Sequence, residues 1–323
     1  MFKGIYLKIS GVILFTCMLY GLSYSQQVPR STLYMFHQNS YNPAETAIDE
    51  LGDVNIVARE QYLNFPKSSG PQVIWFNTSF PLVSLNSGVG LSLRNQTQGF
   101  ENRIDFKCNY SYKIVLSDGI FSMGVSVGGA NIGWDIENPI YPDGVGDTYI
   151  DTKIATQENF LNLLLGFGVY YKMKNVYTGF AVTEMNQPQL KYESGEGLFY
   201  KRHFWYSLGY EYKTSNPMVT IHPSLLAKST LITTQVNLDA IIEYNKTIVG
   251  GFSYSSNNDV SLIFGAKFGE NRKFNGMRAF FSYDIVTSKI STQTAGNLEF
   301  MLGYSFDLSV DKVNKSYKSV RFL

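Results

Sequence analysis

The chain has 323 residues with 27 basic and 26 acidic side chains, and a formal net charge of +1 offers no basic surface for nucleic acid. Charged residues make up only 16%, against about a quarter in ordinary soluble domains, while aromatics reach 15% with 23 Tyr and 23 Phe. That deficit of charge and excess of Tyr suit a surface that lies partly out of water.

Residues 1–25 read as a secretory signal. Lys3 and Lys8 precede an apolar run from Val12 to Leu22, which ends at Ser23-Tyr24-Ser25. Cleavage is expected before Gln26. The alternative, a membrane anchor, is disfavoured because the run falls short of the ~20 residues that cross a bilayer as a helix. A lipoprotein signal is disfavoured too, since Leu14-Phe15-Thr16 before Cys17 puts bulk where small residues are wanted. Loss of Lys3 and Lys8 from the 27 basic residues leaves 25 facing 26 acidic ones, and Cys108 is then the one cysteine, so no intramolecular disulfide is expected.

Residues 26–52 form an amino-terminal extension containing "SYNPAETAI". Pro43 fixes its own φ and biases Asn42 towards extended geometry, which predicts a defined turn. This segment either plugs or lines the periplasmic mouth of the strand-rich region after it, or simply leads into the first strand.

From residue 53 to 308 the sequence alternates with a period of two, the signature of strands. In "RIDFKCNYSYKI", Ile104, Phe106, Cys108, Tyr110, Tyr112 and Ile114 face one way and Asp105, Lys107, Asn109, Ser111 and Lys113 the other. "IFSMGVSVGG", "TQVNLDAIIEY", "VSLIFGAKF" and "NLEFMLGYSF" repeat the pattern. Segments of this length exceed the usual soluble strand of about 5–6 residues and match the about 9–11 of a tilted membrane strand. Fourteen are expected, near 53–62, 71–81, 87–97, 102–115, 119–131, 160–173, 175–185, 202–213, 218–228, 234–244, 247–256, 259–269, 276–288 and 297–308.

Links after even-numbered segments are short, as periplasmic turns are, while the longest links, around 133–159 and 186–201, follow odd-numbered ones. The expected fold is therefore all-β, a transmembrane outer-membrane barrel of about 14 antiparallel strands, followed by a tail over 309–323. In hydrocarbon the backbone must pair all round, and a charge on the lipid face costs about 2–4 kcal/mol near the midplane. The Leu298, Phe300, Leu302, Tyr304 and Phe306 face is thus expected outward and Glu299, Gly303, Ser305 and Asp307 inward. The inside is thereby expected to be the polar side of this protein; a soluble lipocalin-like barrel or sandwich would reverse this. Tyr170, Tyr171, Tyr210 and Tyr212 at strand ends favour membrane girdles. A barrel of this size can hold the Asn42-Pro43 segment, with Gly90, Gly124 and Ser126 leaving space for it.

Catalysis has little support. His37, His203 and His222 stand in no metal-ligand spacing, no P-loop or C-x-x-C occurs, and there is no G-x-S-x-G turn, the Gly124-Val125-Ser126-Val127-Gly128 match lying inside a period-two segment. His203 and His222 share the inward parity, so lumenal hydrogen bonding is expected. Asp135, Glu137, Asp143, Asp147 and Asp151 invite a calcium reading, but their spacing is not that of an EF-hand. No cofactor or metal is expected. The same loop carries Trp134, Tyr141 and Tyr149, residue types that recur at interfaces, and is the leading external contact surface. Tyr41, Asn42 and Pro43 are the second candidate contact.

Three segments carry a family resemblance. "LYMFHQNSYNPAETAI" resembles the amino-terminal motif of the PorP/SprF family of outer-membrane proteins in Bacteroidota. "GFGVYYKMKNVYTGFAV" with "NQPQL" is similar to the family's central hairpin, and "FFSYDIVTSKISTQTAGNLEFMLGYSF" to its last one. The resemblance implies an outer-membrane component of the type IX secretion system and the linked gliding machinery. It supports export or surface attachment of a partner, such as cargo or an adhesin with a type B sorting domain, and contacts other secretion-system or periplasmic components. A passive channel or small hydrophobic-molecule transporter is the alternative. Family strands end near the position of Phe306, whereas seventeen residues follow it here.

Overall fold

The computed structural model describes residues 28–64, 70–99, 101–134, 159–191, 197–257, 259–269 and 275–308. The fourteen barrel strands are β1 (Leu51–Glu60), β2 (Gln72–Leu82), β3 (Ser87–Gln98), β4 (Glu101–Val115), β5 (Gly119–Trp134), β6 (Asn159–Met173), β7 (Val176–Thr183), β8 (His203–Tyr210, resumed at Tyr212–Lys213), β9 (Val219–Ser229), β10 (Thr234–Tyr244), β11 (Ile248–Ser255), β12 (Asp259–Lys267), β13 (Met277–Val286) and β14 (Asn297–Asp307). Each pairs antiparallel with its sequence neighbours, and β1 closes the ring on β14, Ile56 opposite Leu302. A small hairpin, Gln189–Lys191 with Gly197–Phe199, stands outside this sheet.

The expected strand count and closure are observed. One stave departs from regularity. The β8–β9 ladder runs to Gly209 opposite Ser224 and resumes only at Tyr212 opposite Ile221. The interruption falls at Pro223, which has no N–H to give, while on its other edge β8 keeps its β7 register, the Glu211 N–H donating to the Asn175 carbonyl at 2.7 Å.

Side-chain direction follows the expected parity. Phe300, Leu302 and Tyr304 are exposed on the outer face, while Glu299, Met301 and Gly303 between them are buried. Leu302, at the centre of β14, is 41% exposed here and faces lipid in a bilayer. Leu302→Arg is expected to destabilise the barrel by about 2–4 kcal/mol in lipid vesicles, read from guanidinium unfolding; an unchanged midpoint would place this face away from hydrocarbon.

Two expectations about the interior are corrected. The lumen is not uniformly polar: Val57, Val73, Trp75, Ile241, Val249, Ile263, Phe280 and Met301 form an inward apolar patch around Leu33. Tyr170, expected in a membrane girdle, is buried inside, stacked with Tyr177 at 5.8 Å and packed with Ala44 and Ile48. Inward parity sets direction, but what an inward residue meets depends on what fills the lumen.

Candidate functional site

Residues 28–50 run through the inside of the barrel as three short 3₁₀ turns, Tyr34–Phe36, Gln38–Ser40 and Pro43–Glu45. Their path is fixed by contacts at both ends. Arg30 pairs with Asp259 at 2.5 Å and the Val28 carbonyl accepts from Lys228 at 2.7 Å, beside the β11–β12 and β9–β10 links. These lie at the end that carries the long links, here the loop end. Asp49 pairs with Lys172 and Glu50 with Lys113 at 3.8 Å, beside the β6–β7 and β4–β5 turns at the opposite, turn end. The segment therefore traverses the lumen from loop end to turn end before entering β1.

Near the loop end it is held by a buried ionic network. Arg59 on β1 reaches Asp284 on β13 at 2.5 Å and Glu299 on β14 at 2.7 Å, all three side chains fully out of solvent. Glu299 also accepts from the Thr32 N–H at 2.8 Å, the Leu33 N–H at 3.2 Å and the Ser31 hydroxyl at 2.5 Å. Thr32 gives its hydroxyl to Asp284 at 3.0 Å. The tight turn at Ser31–Leu33 thus converts one wall carboxylate into an acceptor for three donors, the arrangement that makes a buried charge tolerable. Next to it Phe36 stacks on Phe280 with centroids 3.8 Å apart, and the Tyr34 hydroxyl donates to Asp239.

Mid-lumen, wall donors satisfy the carbonyls of the segment. Asn109 donates to the Asn39 carbonyl at 3.2 Å, Lys107 to Ser40 at 2.9 Å, Ser111 to Thr46 at 2.8 Å and Lys113 to Ala47 at 3.1 Å. Irregular backbone cannot stay buried without such partners.

Lower down lies the Asn42-Pro43 turn. The Asn42 side chain accepts from the Ala44 N–H at 3.0 Å, capping the 3₁₀ turn that Pro43 begins, and donates to the Val169 carbonyl at 3.2 Å. It rests on glycines of the wall. A methyl at Gly168 would collide with the Asn42 side-chain oxygen, and one at Gly124 with the Pro43–Ala44 backbone. Gly90 lies beneath the Thr46 methyl, which a Cβ there would meet at 3.0 Å.

Of the sequence candidates, Tyr41, Asn42 and Pro43 are brought together inside the lumen, Tyr41 stacking on Trp205 at 4.9 Å. Trp134 ends β5, paired in register with Glu101. Tyr141, Tyr149 and the acidic residues proposed for calcium lie outside the described residues, as do the tail and the segment before residue 28. His203 is buried 3.4 Å from Glu184, His222 lies 3.7 Å from Glu243, and His37 is bonded to Ser31 at 2.8 Å and Ser40 at 3.1 Å. Sequence reasoning missed Arg59, Asp284 and Glu299 as a unit; its one signal was charge at inward parity on strands that become neighbours.

The fold defines a transmembrane β-barrel of the outer-membrane type whose lumen is occupied by its own amino-terminal segment. The family model described as type IX secretion system membrane protein PorP/SprF matches residues 23–304, and the chain belongs to that family. No curated protein matches the sequence. Similar solved structures include the Ralstonia pickettii toluene transporter TbuX, with a TM-score of 0.47 and 10% identity over 85% of this chain and 93% of that one. The Pseudomonas putida toluene transporter TodX has a TM-score of 0.46 and 10% identity over 90% and 96%. The translocator domain of the autotransporter NalP from Neisseria meningitidis has a TM-score of 0.41 and 9% identity over 79% and 87%.

Proposed function

We propose that this type IX secretion membrane barrel acts by protein recognition rather than by conduction or catalysis. It supports export or surface attachment of a partner, a cargo or adhesin with a type B sorting domain. Family membership supplies the secretion context. The observation that favours recognition is the filled lumen: residues 28–50 cross it between ionic anchors at both ends. With the passage taken up by the chain itself, the surfaces left for function are the two mouths.

By the rule that short turns face the periplasm, the loop end is external. There the link after β5, with Trp134, Tyr141 and Tyr149, forms the partner surface. At the periplasmic mouth, cavities of about 310 and 400 Å³ flank the segment and share Met35, Phe36, Glu45 and Asp49 among their lining residues. They are the natural contact for periplasmic components of the machinery. Tyr41, Asn42 and Pro43 act here by holding the plug on the wall, and reach a partner only if the plug is moved.

Affinity purification of the full protein from membranes, paired with planar-bilayer recording, tests this reading. The expected result is capture of a large sorting-domain protein, lost on triple substitution of Trp134, Tyr141 and Tyr149 by Ala, together with no steady current. A steady wild-type conductance without partner capture would establish the channel instead.

A further inference from the structure

In the loop half of the lumen a cavity of about 40 Å³ lies between residues 28–41 and the inner wall. A single water needs about 10–15 Å³ measured in the same way, so this space takes a few waters or one compact ion and is too small for an aromatic ligand. Its walls are unbalanced in charge. Arg30, Arg94, Lys107 and Lys228 line it, and Glu184 is the one carboxylate among the described lining residues.

Two of these cations have carboxylates of their own, Arg30 with Asp259 at 2.5 Å and Arg94 with Asp105. Glu184 lies 3.4 Å from His203 and 3.9 Å from Arg103, so its single charge is shared among more than one cation of this wall. Lys107 is different. Its ammonium donates to the Ser40 carbonyl at 2.9 Å, a neutral acceptor, and it makes no ion pair among the described residues. Arg94 is 7% exposed and its Nε has no acceptor. A half-buried ammonium set against a neutral partner, beside an Arg94 Nε–H left without an acceptor, favours a counter-charge in the cavity.

We infer that this cavity binds a compact monovalent anion of chloride size. The anion sits between Arg94 and Lys107 of the wall and the Ser31–Ser40 stretch of the lumenal segment. It neutralises the wall and ties the segment to it, a role independent of which partner the barrel serves. On the segment's side the cavity is lined by Arg30, whose Nε has no acceptor, as that of Arg94 has none on the wall; a large anion is excluded by volume.

The test uses the full protein in detergent, with thermal unfolding at matched ionic strength in sodium chloride and in sodium gluconate. The expected result is a melting temperature about 2–4 °C higher in chloride, lost in Lys107→Gln. Equal melting temperatures in the two salts, or a chloride gain that survives in K107Q, would overturn the assignment. Should K107Q fail to fold, wild-type crystals grown in bromide decide. An anomalous peak within hydrogen-bond reach of Lys107 upholds the site, and a cavity without one overturns it.

Discussion

Arg59→Met is expected to cost about 3–5 kcal/mol of stability in detergent. Arg59 is the common cation of Asp284 and Glu299, and no solvent reaches any of the three side chains. Its removal leaves two carboxylates facing each other across β13 and β14 without their shared guanidinium, with neutral donors such as those of Ser31–Leu33 and the Asn297 amide left to solvate them. Removing one partner of a buried network costs far more than removing the network whole. The triple variant Arg59→Met, Asp284→Asn, Glu299→Gln should therefore recover most of the loss. Guanidinium unfolding of the three proteins in one detergent measures this. A single variant within about 1 kcal/mol of wild type would show that the network is hydrated and contributes little.

Gly168→Val is expected to unseat the plug at its turn end and open a steady current in planar bilayers. The position leaves no room for a side chain, because the Asn42 amide occupies the place of the missing Cβ. Asn42 cannot yield cheaply: moving it breaks its cap on Ala44 and its bond to the Val169 carbonyl. Overpacking of this kind costs about 1–3 kcal/mol. The buried anchors of Arg30 and Arg59 at the loop end are untouched, so the segment lifts from one end rather than leaving the barrel. Asn42→Gly in the same chain removes the colliding atoms and should close the current again, at the expense of the cap. A silent Gly168→Val channel with wild-type melting would mean that the Asn42 turn does not seal the lumen.

These two sites differ in how far the sequence foretold them. The seat of the Asn42-Pro43 turn was partly readable. Pro43 fixes a turn, and inward glycines such as Gly90 and Gly124 mark places where the wall lets another backbone come close. The Arg59 network was not readable as a unit. Arg59 stands more than two hundred residues from both its partners with no spacing motif to link them, and only the closure of β1 on β14, itself paired with β13, brings the three together. Ile241 and Ile263 escaped for a related reason. Period-two reading assigns an apolar residue to lipid, yet both sit at inward parity and are buried in the patch around Leu33. Tyr170 was misplaced because a strand-end tyrosine reads the same whether it meets headgroups or a lumenal segment.

What the sequence by itself determined was the wall. A strand has two faces, hydrocarbon tolerates neither charge nor an unpaired amide, and so alternation over fourteen segments dictated closure, strand count and the outward face. What only the tertiary structure decided was the filling. The path of residues 28–50 depends on carbonyls, carboxylates and glycines contributed by strands remote in sequence. Such long-range complementarity has no period to betray it, because it is a property of which side chains meet across the lumen and not of how they follow one another along the chain.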